Sequence, residues 1–196
     1  LAAGRTPEIE RILEDSVVVI DPVLNPDGRA RYVSFFQQHV GMEADPFPLA
    51  AEHREPWPSG RSNHYMFDLN RDWVWGTQAE SAARIPIYRR FMPQLHLDVH
   101  EQGIHSPYFL GAGDTPYHAE VRGEERSWFE VFGRAMGADF DAARLEYATR
   151  ERFDYLYPGY GKVLPVHHGA VGLLFEQAGH GRAGRAITID DDHGGG

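Results

Sequence analysis

The chain has 196 residues, 42% of them hydrophobic, enough to bury one core of ordinary size. Its 19 Lys+Arg against 29 Asp+Glu give a net charge of −10, which argues against nucleic acid or an anionic membrane as partner, since either needs a basic face. With no cysteine, disulfides and thiolate metal sites are excluded and His, Asp and Glu are the strong ligands left; no apolar run approaches the roughly 18 residues that cross a bilayer.

A single α/β domain is expected over residues 1–189, with a frayed tail at 190–196. The first residue is leucine rather than methionine, so the chain is expected to start inside a longer sequence. Thr6-Pro7, a cap followed by proline at the first helical position, predicts a short helix to Ser16 with Ile9, Ile12 and Leu13 on one face. The run Val17 to Ile20 predicts a buried strand, parallel because it shows no alternation. Asn25-Pro26-Asp27-Gly28 predicts a turn. From Phe36 to Pro58 the absence of periodicity predicts a long loop. His39, Glu52 and His53 within it are ligand types, although scattered loop histidines are ordinarily solvated.

The densest polar chemistry lies in Gly60 to Trp73, GRSNHYMFDLNRDW, where Arg61, Asn63, His64, Asp68, Asn70, Arg71 and Asp72 sit among Tyr65, Met66, Phe67, Leu69 and Trp73. Buried guanidinium and amide groups must find partners, so the segment is either an internally satisfied network or a set of donors aimed at a ligand. A planar guanidinium suits carboxylate or oxyanion oxygens. Arg61, followed nine positions on by Asn70-Arg71 in Asp-Leu-Asn-Arg-Asp-Trp, resembles the R-x-N…D-L-N-R-N block of the zinc carboxypeptidases, the carboxypeptidase A-like metallopeptidases. The upstream Pro22-x-x-Asn25-Pro26-Asp27-Gly28 is similar to a second block of that family, in the same order. The resemblance implies that Arg61 stabilises an oxyanion and that Asn70 with Arg71 holds a substrate's terminal carboxylate. Asp72 stands where many relatives have a second Asn.

A helix is predicted from about Gln78 to Met92, bent at Pro86 and stopped by Pro93. In Leu95-His96-Leu97-Asp98-Val99-His100 leucine and valine alternate with polar residues, which predicts a strand with His96, Asp98 and His100 on one face. A histidine ending such a strand is either satisfied in a buried network or placed at the sheet rim where ligands bind. The resemblance implies that His100 ligates zinc. Asp98 could orient it, though same-face neighbours on a strand lie far apart. His100-Glu101 followed by His105 is not the H-E-x-x-H helix, because the second His comes one residue late and Gly103 disfavours the helix.

Ser106 to Thr115 predicts a loop around Tyr108-Phe109-Leu110, and Tyr117 to Phe140 a long helix with Trp128, Phe129, Val131, Phe132 and Met136 as its core face. Asp154 to Pro165, DYLYPGYGKVLP, predicts a loop that holds tyrosines near a site. The family has a substrate-capping tyrosine at about this place, and Tyr157 is preferred over Tyr155 and Tyr160. Gly169 to Glu176 predicts a buried strand ending on a carboxylate, which is either salt-bridged or poised as a general base beside a metal. The resemblance implies the catalytic role for Glu176. Gly179 to Gly184 fits G-x-G-x-x-G but has too few residues after it for a dinucleotide-binding unit.

The family-like residues run in order from Asn25 to Glu176. The resemblance implies an α/β fold with a mixed, largely parallel sheet flanked by helices, one zinc ion, a peptide or acyl-amino-acid substrate, and a secreted or periplasmic setting. The family's His-x-x-Glu zinc pair has no counterpart before Asn25, where the chain has no histidine, and the remaining ligands are expected upstream of Leu1. Two other readings stay open: a related zinc deacylase acting on N-acyl amino acids, and a non-catalytic fragment that binds peptide tails.

Overall fold

The computed structural model describes residues 6–43, 45–47, 49–103, 106–111 and 113–177. The expectations for His105, the G-x-G-x-x-G segment and the tail at 190–196 lie outside the described residues.

Helix α1 (Pro7–Asp15) starts as its cap predicts, the Thr6 hydroxyl accepting from the Ile9 N–H at 3.3 Å, yet none of its residues is buried. Val17–Ile20 does not form the expected buried strand: it is exposed and without ladder pairing. An apolar run favours a strand only where another strand supplies hydrogen bonds, and among the described residues none lies beside it. Asn25-Pro26-Asp27-Gly28 is likewise not an isolated turn. Asn25 caps helix α2 (Pro26–His39), its side-chain oxygen accepting from Gly28 N–H at 2.9 Å, with Pro26 in the first turn. The expected loop therefore begins only after His39, and it includes a 3-10 turn at Ala51–His53.

Helix α3 (Ala79–Phe91) contains Pro86 and ends at Met92 in the left-handed conformation. Strand β1 (Leu95–Glu101) follows, then β2 (Tyr108–Gly111), helix α4 (Gly123–Ala143), the two-residue β3 (Tyr147–Ala148), the one-turn α5 (Leu164–His167) and β4 (Val171–Gln177). The expected loop around Tyr108-Phe109-Leu110 is thus a strand, short but fully committed: Phe109 and Leu110 are buried and pair with β4. Gly111 is its last residue, pairs with Leu174 and takes a positive φ. The long helix begins at Gly123, six residues later than the spacing predicts. Of its expected core face Phe129 is buried, Phe132 and Met136 pack partly, and Trp128 and Val131 are exposed.

The four strands form one mixed sheet in the order β1-β4-β2-β3, with β1 parallel to β4, β2 parallel to β3, and β2 antiparallel to β4. This is the expected α/β class. On β1 the alternation is inverted relative to a usual amphipathic strand, since Leu95, Leu97 and Val99 are exposed while Asp98 is buried and His96 and His100 are half-buried. The core gathers Val121, Phe129, Tyr155, Val163, Val166 and Leu173. Tyr155 is its centre: its ring stacks on Phe129 at 4.6 Å and on Tyr117 at 5.6 Å, and its hydroxyl donates to the Gly172 carbonyl at 2.8 Å.

Tyr155→Phe keeps the packing and deletes that buried bond, so it is expected to lower stability by about 1–2 kcal/mol in urea unfolding with an unchanged far-ultraviolet spectrum. An unaltered midpoint would mean that the hydroxyl contributes nothing to the core.

Candidate active site

The site is built where β1 and β4 run side by side. Their register sets Asp98 opposite Leu174 and His100 opposite Glu176, and in-register parallel neighbours project to the same face. His100 Nε2 lies 3.0 Å from Asp98 Oδ1, so the side chains span the two-residue gap that the strand spacing alone makes look too long. Asn70 Nδ2 is also 3.0 Å from His100 Nε2, while Asn70 Oδ1 accepts from the Gly161 N–H at 2.7 Å, which fixes the amide's orientation.

A cationic strip borders this pair. Arg61 places Nε and Nη2 at 3.1 and 2.9 Å from one oxygen of Asp68. Arg71 lies 3.8 Å from the same oxygen, donates to the Asn70 carbonyl at 2.8 Å, and rests its guanidinium 4.5 Å over the Tyr160 ring. Tyr157 donates its hydroxyl proton to the Arg71 carbonyl at 2.8 Å. Two glycines permit the approach of these loops: a Cβ at Gly159 would meet the Tyr157 ring at 2.2 Å, and one at Gly161 would meet Asp98 Oδ2 at 2.6 Å.

Asp72 has a different task from its neighbours. It is buried, and its two oxygens accept from the Thr77 hydroxyl at 2.6 Å, the Thr77 N–H at 3.1 Å and the Gln78 N–H at 2.9 Å, pinning the turn that leads into α3. Burial alone would raise its pKa, and these bonds outweigh burial to hold it low. A carboxylate accepts all three, where an amide would turn a donor toward some of them.

The electrostatics of the His100–Glu176 pair follow from burial, the attraction within the pair, and the charges of Asp98, Arg61 and Lys162. Burial, then the charge of Asp98, push Glu176 above the usual carboxylate range against the pull of His100, Arg61 and Lys162. For His100 burial acts downward, and Asp98 together with Glu176 overcomes it, so the imidazole holds its proton more strongly than usual. Arg61 acts on both groups, which places it in the same field.

Thus His100, Glu176, Arg61, Asn70, Arg71 and Tyr157 converge on one region of the rim. His39 and His53 lie elsewhere, bonded to the Phe35 and Asp45 carbonyls at 2.8 and 2.7 Å, with Glu52 beside His53. Among the described residues no group of three or more His, Asp and Glu side chains is arranged to hold a metal ion. Among the described residues the site therefore offers the single imidazole of His100, with Asp98 and Asn70 both at its Nε2.

Sequence reasoning passed over Lys162. It is the sole lysine in a chain that otherwise uses arginine, and it is buried, its ammonium bonded to the Phe153 carbonyl and 4.3 Å over the Tyr155 ring. The signal was there: lysine can shed its proton when buried and arginine cannot. Burial lowers its pKa to about 7, against the attraction of Asp154, Asp98 and Glu176. Between that value and the ordinary 10.5 the unfolded chain binds the extra proton, so raising the pH favours the folded state. Wild type is expected to gain stability relative to Lys162→Met from pH 7 to pH 10 in urea unfolding; a pH-independent difference would show that the ammonium is solvated.

The family match bears on the first half of the chain. The sequence model described as zinc carboxypeptidase matches residues 1–93, a span that holds Arg61, Asn70 and Arg71 and ends before β1. No curated protein matches. A solved metallo-carboxypeptidase from Burkholderia cenocepacia aligns with 68% of this chain and 34% of its own at 16% identity and a TM-score of 0.48, so the chain spans about a third of that protein's length. Residues 1–93 of this chain are therefore similar to zinc carboxypeptidase family sequence.

Proposed function

We propose that the chain provides part of a metallocarboxypeptidase-type active site that hydrolyses a peptide bond next to a free C-terminal carboxylate. The observation that carries this reading is the pairing of His100 with Glu176 across β1 and β4, with the charge of Arg61 acting on both. Glu176 takes the proton of the attacking water, a role helped by burial, which makes it a stronger base than a solvated carboxylate. Arg61, aimed by Asp68, stabilises the oxyanion formed at the scissile carbonyl. Arg71, half-exposed on the Tyr160 ring, holds the substrate's carboxylate with Asn70, and Tyr157 covers it.

The zinc that the family implies would need about three protein ligands. We assign His100 as one; the described residues offer no second and third. This chain by itself is expected to bind zinc weakly. Calorimetric titration giving tight one-to-one zinc binding would overturn that.

The function itself is tested by binding and by turnover. Arg71→Ala is expected to cost about 1.5–3 kcal/mol, roughly tenfold to a hundredfold, in affinity for peptides with a free carboxylate, and nothing for the same peptides amidated. In zinc-supplied protein that turns over peptides, Glu176→Gln is expected to lower kcat by on the order of a hundredfold or more. Equal binding of free and amidated peptides by wild type would sink the carboxypeptidase reading.

A further inference from the structure

The turn that Asp72 pins carries Trp75 outward. The Gly76 N–H donates to the Asp72 carbonyl at 2.7 Å, Gly76 takes the left-handed conformation, and the indole of Trp75 stands 67% exposed. The bond it makes is specific: its Nε1–H donates to the Tyr157 hydroxyl at 2.7 Å. That hydroxyl in turn donates to the Arg71 carbonyl at 2.8 Å, and the Tyr157 ring meets Tyr160 edge-on, 5.2 Å between centroids. The Tyr157 oxygen thus uses its proton on Arg71 and a lone pair on Trp75. Nearby, the Trp73 N–H donates to the Gly159 carbonyl at 3.2 Å, so the two loops already meet through backbone, and the indole adds a tie at the side-chain level.

We propose that Trp75 is a positioning residue for Tyr157 and Arg71: its indole N–H locks the phenol hydroxyl onto the Arg71 carbonyl, holding the tyrosine ring and the guanidinium in one arrangement before a carboxylate arrives. This rests on the reading of Arg71 as the carboxylate anchor. Trp75 itself touches no reacting group. It acts by removing freedom that Tyr157 and the Arg71 loop would otherwise lose on binding. Phenylalanine at position 75 keeps the aromatic face and loses the donor, and Phe at position 157 loses the other end of the same bond.

The test is a double-mutant cycle on the full chain, read by NMR titration with N-acetyl-L-phenylalanine. The free-state spectrum comes first: the Trp75 indole N–H resonance is expected to move upfield in Tyr157→Phe, since the acceptor is gone. Trp75→Phe and Tyr157→Phe are each expected to weaken binding about fivefold, as loss of one neutral hydrogen bond would, and the double variant to bind no worse than either single one. Melting temperatures serve as the control for folding. Wild-type affinity in Trp75→Phe, or effects that multiply in the double variant, would overturn the proposal, as would coupling that appears in the melting temperatures but not in binding. The anchor is checked separately: Arg71→Ala that binds as wild type does, or no binding by wild type, overturns the carboxylate reading itself, whatever Trp75 does.

Discussion

Everything at the rim depends on the parallel ladder between β1 and β4. Seven residues of each strand pair in register from Leu95–Val171 to Glu101–Gln177, and that register alone sets His100 beside Glu176. A slip of one residue would turn either side chain to the opposite face of the sheet. Register is well specified here because β4 is central, joined to β1 on one side and β2 on the other, with Leu173 and Leu174 buried. The hydrophobic strand thus acts as a ruler, and the polar residues on its neighbour take their positions from it.

Placing Asp98, Glu176 and Lys162 in the interior is costly, since each loses its water. The structure offsets that cost by mixing signs. Two carboxylates share the field of Lys162, Arg61 and the imidazole of His100, and each pKa direction reports this balance of burial against charge. One loose end remains in the hydrogen bonding, because Asp98 Oδ2 is buried without a partner among the described residues.

The second constraint is that two loops far apart in sequence are held together over the strand ends. Residues 61–77 bring both arginines, Asn70 and Trp75; residues 153–163 bring Tyr157, Tyr160 and Lys162. They meet at Asn70–Gly161, Trp73–Gly159, Arg71–Tyr157 and Trp75–Tyr157. Close passage of backbone at Gly159 and Gly161 makes the fit possible, and Asp72 holds the first loop in shape from beneath. Loop residues are usually imprecise; here cross-bonds between the two loops hold them in place.

The sequence by itself determined the local pieces: the capped start of α1, the α3 and α4 helices, the two strands that carry His100 and Glu176, and the unusual cluster of Arg, Asn and Asp at 60–73. Those are encoded in near-neighbour spacing and capping chemistry, which one chain of letters displays. It misjudged Val17–Ile20, whose strand propensity needs a ladder partner, and Tyr108–Gly111, whose strand character comes from β4 rather than from its own four residues. It also read Asn25–Gly28 as a turn, because capping a helix and closing a turn use the same Asn and Pro. Only the tertiary structure decided that Asp98 reaches His100, that Asn70 is oriented by Gly161, that the lone lysine is buried near both carboxylates, and that Trp75 ties Tyr157 to Arg71. Each of these is a contact between residues separated by a fold, or set by side-chain reach across a strand, and distance in space is the one quantity that sequence order does not record.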